Sequence, residues 1–133
     1  MILSNVNTFE NPSFSLRNRL TRVLWQITWS CLFRPSPPPL HFWRFFLLRL
    51  FGAKIHHSCH VYNSVRIWAP WHLHMEANSC LGPNVICYSM AIVSVGKKAI
   101  VSQGTHLCTG SHDYESVEFQ LFAKPITIGD NVW

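Results

Sequence analysis

One short stretch of the sequence concentrates the side chains that could do chemistry, Leu107-Cys-Thr-Gly-Ser-His-Asp-Tyr114. His112 is its most versatile member, because an imidazole with an ordinary pKa near neutrality can take a proton from a hydroxyl and hand it on within one turnover. Asp113 beside it could orient a neighbouring group, or it could be a solvated loop residue. The value of either depends on what holds the segment.

The pattern upstream supplies a holder. Aliphatic residues recur every six positions from Ile55 through Val61, Ile67 and Leu73. After a two-residue slip come Leu81 and Cys87, after another Val95, Val101 and Leu107, and Ile128 resumes the series. Four residues further on the side chain is often small or β-branched, at Cys59, Val65, Ala77, Val85, Ala91, Ala99, Thr105, Ser111 and Val132, with Trp71 the exception. Six is neither a helical period nor a strand alternation. It is the hexapeptide period of β-solenoids, in which the chain winds as a triangular prism with one short strand per face. The aliphatic residue points inward and the small one fits a tight corner. Three hexads make a coil of about 18 residues, so residues 18 apart should stack, with His56 and His74 forming an outward ladder and the slips after residues 73 and 87 absorbed at corners. About three to four coils fit into 55–133. The period fails between Leu107 and Ile128, so an inserted loop at about 111–125 should leave one corner, with His112 at its base. That puts the imidazole on a rigid element facing open space, as a general base requires.

The other reactive side chains read mainly as structure. His56 and His60, like Cys108 and His112, have a four-residue spacing that binds metal on a helix, but in a solenoid such pairs straddle a corner, and no metal is expected. Cys59 and Cys87 occupy positions that want a small or apolar group, so packing is preferred over nucleophilic chemistry. Trp68 and Trp71 could stack on a sugar ring or cover the solenoid beside the N-terminal segment.

Residues 1–54 differ in character. Eight of the eleven Lys and Arg lie in 1–75 against a single acid, Glu10, whereas 76–133 holds three bases and five acids. Residues 5–12 read as an irregular arm. Ser15 or Asn18 could cap a helix reaching residue 33, Pro35-Ser-Pro-Pro-Pro39 reads as an extended connector, and 40–51 as a second helix stopped by Gly52. Arg17, Arg19, Arg22, Arg34, Arg44, Arg49 and Lys54 are interleaved with tryptophans and phenylalanines. This suits an anionic membrane surface or packing against the rest of the protein. Nucleic acid is not expected, because no recognition motif accompanies the basic residues. Neither apolar run, each about a dozen residues, is long enough to span a membrane. The polar N-terminus does not read as a secretory signal. Five cysteines, odd in number and without a C-x-x-C pair, suit a reducing cytoplasm. At 48% hydrophobic and 13% charged the chain is no disordered tail, and its 133 residues exclude a large two-lobed enzyme.

The hexads, the Thr109-Gly-Ser-His-Asp113 element, Pro125-Ile-Thr-Ile-Gly-Asp-Asn-Val-Trp133, Leu32-Phe-Arg-Pro-Ser-Pro37 and Leu47-Leu-Arg-Leu-Phe-Gly-Ala-Lys54 together resemble the hexapeptide-repeat acyltransferases. The nearest likeness is to the colanic acid biosynthesis branch and related sugar O-acetyltransferases. That resemblance implies a mainly β fold, a left-handed parallel β-helix preceded by N-terminal α-helices, assembled as a homotrimer with active sites between subunits. It implies acetyl-CoA as co-substrate and His112 as general base in acetyl transfer to a sugar hydroxyl during surface or exopolysaccharide biosynthesis, in the cytoplasm or on the inner face of the plasma membrane. Transfer to an amine or to serine is a weaker variant. Asn84 is the nearest counterpart of the coil Asn that meets the acceptor in related enzymes, and Asp113 accompanies it as a substrate-binding candidate. Family members continue past the Ile-Gly-Asp-Asn-Val-Trp hexad with coils that complete the CoA groove, so no CoA-binding residue carries over. The alternative function is a truncated, non-catalytic solenoid, either a module for trimerisation or membrane docking or an inactive fragment.

Overall fold

The computed structural model describes residues 12–133; residues 5–11 of the expected arm lie outside that range. Ser15 caps α1 (Leu16–Thr28), its hydroxyl accepting the Asn18 amide at 3.2 Å. The helix runs on as a wider turn, Trp29–Phe33, and α2 (His41–Leu50) follows. Gly52 takes the left-handed conformation at φ +89°, and the Ala53 amide returns to the Leu48 carbonyl at 3.0 Å. This is the helix stop expected of that glycine.

The prolines between the helices do not form the extended spacer that their composition suggests. They turn around Arg44, which is fully buried. Its guanidinium donates to the Ser36 hydroxyl and the Pro37 carbonyl, both at 2.8 Å, and to the carbonyls of Pro38 and Val61. The proline-rich turn offers backbone acceptors with few competing N–H groups, and a fork with five donors can gather several of them at once. Arg44 therefore leaves the set of outward cations to which its neighbours assign it.

From Lys54 the chain winds into coils. The first holds β1 (Lys54–Ile55), β2 (His60–Val61) and β3 (Arg66–Ile67); the second β4 (Leu73–Met75), β5 (Cys80–Leu81) and β6 (Ile86–Tyr88); the third β7 (Val93–Val95), β8 (Ile100–Val101) and β9 (His106–Cys108). Equivalent strands pair in parallel, giving three faces, β1-β4-β7, β2-β5-β8 and β3-β6-β9. Ile55, Met75 and Val95 stack on one face, Val61, Leu81 and Val101 on the second, and Ile67, Cys87 and Leu107 on the third. All point into the buried core.

The register corrects the expected coil length. Ile55 opposes Met75, so the repeat is 20 residues, not 18, and Met75 rather than Leu73 is its counterpart. His74 pairs with Lys54 and Ser94, while the His56 amide bonds the Met75 carbonyl, so the His56–His74 ladder does not form. The extra residues of both coils fall at one corner, 68–72 and 88–92. The first slip thus comes before Leu73, and Trp71 escapes the small-residue rule because it stands on this wide corner. Because Met75 replaces Leu73 in the register, Ser79 and not Ala77 fills the second coil's corner, and Ala91 falls on the wide one. At the two narrow corners Cys59, Val65, Ser79, Val85 and Ala99 are buried. From the second coil on, the residue just before takes positive φ, as at Asn78 (59°), Asn84 (58°) and Lys98 (55°).

A solenoid's first coil has an unpaired edge, which must find partners or remain a site of fraying. Here the helices lie across it and side chains satisfy its carbonyls. The Trp25 and Trp29 indole N–H groups donate to Ile67 and Val65 at 2.7 and 2.8 Å, Arg44 to Val61, and Arg49 to Ile55 at 3.4 Å. Arg44 is the centre of this cap, because it also holds the connector. Arg44→Ala is expected to lower unfolding free energy by about 3 kcal/mol in urea denaturation, and Arg44→Lys to recover only part of that, since an ammonium cannot reach all four acceptors. An unchanged midpoint for Arg44→Ala would contradict this role.

Candidate active site

The third passage of the wide corner carries the insertion. It is not an open loop but an antiparallel hairpin, β10 (Gly110–His112) against β11 (Leu121–Ala123), after which β12 (Ile126–Ile128) rejoins the first face beside β7. Its base is fastened at Thr109, which is buried. The Thr109 hydroxyl donates to the Tyr88 carbonyl at 2.8 Å and accepts the Ala91 amide at 3.0 Å. Its own carbonyl accepts the Lys124 amide at 2.9 Å, tying the outgoing chain to the returning one. At Gly110, which follows, a Cβ would run into the Met90 thioether, so a larger residue would have to displace the flexible end of that side chain. The Thr-Gly pair is thus the hairpin's hinge pin, and the next residues are projected from it.

His112 lies opposite Leu121 in the hairpin register. Its Nδ1 is 3.0 Å from the Phe119 carbonyl oxygen, and its ring lies flat on the Phe119 ring, with centroids 4.7 Å apart and planes within 6°. A carbonyl can only accept, so Nδ1 carries the hydrogen and the lone pair belongs to Nε2. His112 is an exposed residue, with one face of its ring covered by Phe119. Phe119 itself adopts φ +48°, an uncommon conformation for an aromatic residue. Nothing in the hexad pattern marks Phe119, which lies where the period is lost, and its residue type does not set it apart from Tyr114 and Phe122 in the same insertion.

Asp113 shapes the hairpin tip. Its amide bonds the Gln120 carbonyl at 2.8 Å, and its carboxylate accepts the Glu115 amide at 3.0 Å. Asn84 is not brought to His112 within the chain. It occupies the narrow corner between β5 and β6, where its amide donates to Ser64 Oγ at 2.9 Å, as Asn78 does to Ser58 one corner earlier. Trp68 is covered from the α1 side, with the Arg22 guanidinium 4.2 Å above its ring and Tyr88 edge-on at 5.4 Å. Cys87 is buried, and burial pushes its thiol up to about 12, which removes it as a nucleophile near neutral pH. Among the described residues no three His, Cys, Asp or Glu side chains converge as metal ligands. A shallow groove of about 280 Å³ runs over the outer face of β4, β7 and β12, lined by His74, Ser94, Gly96 and Thr127 among others.

Comparison with known proteins decides the family. The chain is 40% identical over 132 residues to WcaF of Escherichia coli (strain K12), described as a colanic acid biosynthesis acetyltransferase, and the match spans 98% of this chain and 72% of that protein. The chain belongs to the hexapeptide-repeat acetyltransferase family. WcaF of Shigella flexneri matches with the same identity and extent. Two solved structures share the hexapeptide-repeat fold, a left-handed parallel β-helix. A maltose O-acetyltransferase from Clostridium difficile 630 superposes with TM-score 0.76 at 18% identity, over 90% of this chain and 65% of that one. A hexapeptide-repeat-containing acetyltransferase from Vibrio cholerae gives 0.73 at 24%, over 90% and 68%. This chain therefore spans about two thirds of the length of these hexapeptide-repeat structures. No family model matches it.

Proposed function

We propose that this chain carries the catalytic base of an O-acetyltransferase that moves an acetyl group from acetyl-CoA to a sugar hydroxyl in surface polysaccharide biosynthesis. The observation that supports this most directly is the Nδ1–H bond from the exposed residue His112 to the Phe119 carbonyl, which leaves Nε2 as the ring's acceptor. In the reaction Nε2 takes the hydroxyl proton as the oxygen bonds to the thioester carbonyl carbon. The carbonyl electron pair moves onto oxygen and returns as the C–S bond breaks. The imidazolium proton then passes to the departing thiolate, which needs no strong acid because thiols ionise at about pH 8.5. Phe119 acts as a positioning residue, holding the tautomer and the ring plane. The name of the WcaF relatives supports the polysaccharide context. The five free thiols fit the reducing cytoplasm in which acetyl-CoA is available.

The working unit in this proposal is a homotrimer. Asn84 and His112 lie at different corners of one prism, so an acceptor held by both must lie between copies. Ile86 and Ile100, exposed on the faces that meet at the Asn84 corner, supply apolar contact, and Tyr114 and Val117 stand out from the hairpin tip.

Thiol release from acetyl-CoA with sugar acceptors measures the chemistry. His112→Ala should slow turnover by about 10²- to 10⁴-fold without changing the circular dichroism; equal rates for variant and parent, or an inactive parent, would refute the assignment. For the assembly, sedimentation equilibrium should give three times the chain mass and Ile100→Arg should reduce it to one, whereas a monomeric parent would remove the shared site.

A further inference from the structure

The two helices have an inner and an outer side. On α1 the inner side is Trp25, buried and bonded to the first coil. Opposite it, Leu16, Leu20, Val23, Leu24 and Ile27 form a stripe spanning about 100° of arc, each 56–67% exposed. On α2 the inner side is Arg44, Leu47 and Leu48, and the outer one Phe42, Phe46 and Leu50, which are 50–74% exposed. Both inner sides rest on the same coil end, so both outer sides face away from the solenoid along its axis. The result is one end of the molecule covered by aliphatic and aromatic side chains.

The charge around this face has one sign. Arg17 and Arg19 flank the α1 stripe and are exposed, and Arg34 is exposed between the helices, whereas the Arg49 guanidinium turns back to the Ile55 carbonyl. No Asp or Glu occurs anywhere from residue 12 to residue 75. We propose that this helical end docks on the surface of an anionic lipid bilayer. The aliphatic stripes enter the acyl boundary, Trp43 lies at the headgroup level and the arginines meet lipid phosphates. Neither helix is long and apolar enough to cross a membrane, so they lie in its plane. A second copy is a poor occupant, because it would bring the same arginines with no acid to oppose them. Nucleic acid would satisfy the arginines but leave the Leu, Val and Ile centre uncovered. Arg22 is not part of the face, since its guanidinium lies over Trp68. Docked this way, the His112 hairpin stands two coil spacings, about 10 Å, above the first coil and clear of the membrane. The proposal is independent of the acetyl-transfer reading, because its test requires no turnover.

The test is co-sedimentation of the full chain with vesicles of phosphatidylglycerol and phosphatidylcholine, and with phosphatidylcholine alone. The chain should pellet with the first and only weakly with the second, and added salt should weaken binding. Arg17→Gln and Arg19→Gln should each lower partitioning about fivefold. Phe42→Ser with Phe46→Ser should abolish it while circular dichroism and the thermal midpoint stay at parent values, since these side chains project away from the core. The proposal fails if the folded parent remains in the supernatant, or if it pellets equally without vesicles. It also fails if both sets of variants partition like the parent, or if the face binds single-stranded RNA and not vesicles.

Discussion

Everything in this structure depends on the requirement that each coil close in register with the next. Parallel strands two or three residues long bind weakly alone, and they persist because Ile55, Met75 and Val95 and their counterparts on the other faces stack into one continuous core. Two corners are held narrow by buried small or β-branched residues, so additional residues can be taken up only at the third. The insertion with His112 emerges there, above 68–72 and 88–92. The catalytic candidate is thus placed by a packing rule that applies along the whole solenoid. Thr109 and Gly110 are the local form of that rule, one bonding to the Tyr88 turn below and the other yielding space to Met90.

The same requirement leaves an open edge at the first coil, and the helical segment answers it chemically as well as sterically. Indole and guanidinium donors reach the carbonyls that a preceding strand would have bonded. Using Trp25, Trp29 and Arg44 for this purpose commits one side of each helix, and the apolar character of the other side then has no structural explanation. Capping and the proposed docking would then be two faces of one element. The acidic hairpin, with Asp113, Glu115 and Glu118, and the basic helices separate the charge of the molecule along the solenoid axis.

Much of this was legible in the sequence, and the failures have physical causes. The period of six reveals the solenoid because inward residues must repeat once per face. It misplaced the coil length because Leu73 and Met75, two residues apart on one strand, both point inward and both suit the pattern. Gly52 and Ser15 could be read because caps depend on local backbone chemistry. Arg44 could not, since its acceptors include a connector and a strand that only the fold brings together. His112 was visible through its motif, whereas Phe119 supplies a backbone carbonyl, a group every residue has. Asn84 shows the converse: a residue type suited to binding also suits the left-handed turn in which it sits.

The central claim is that the hairpin presents His112 as a base with Nε2 unprotonated and Nδ1 bonded to the Phe119 carbonyl. Nitrogen-15 NMR of the histidine rings above their ordinary titration range tests it directly. The structure predicts a pyrrole-type Nδ1 and a pyridine-type Nε2 for His112. The opposite tautomer, or an even mixture of the two, would contradict it.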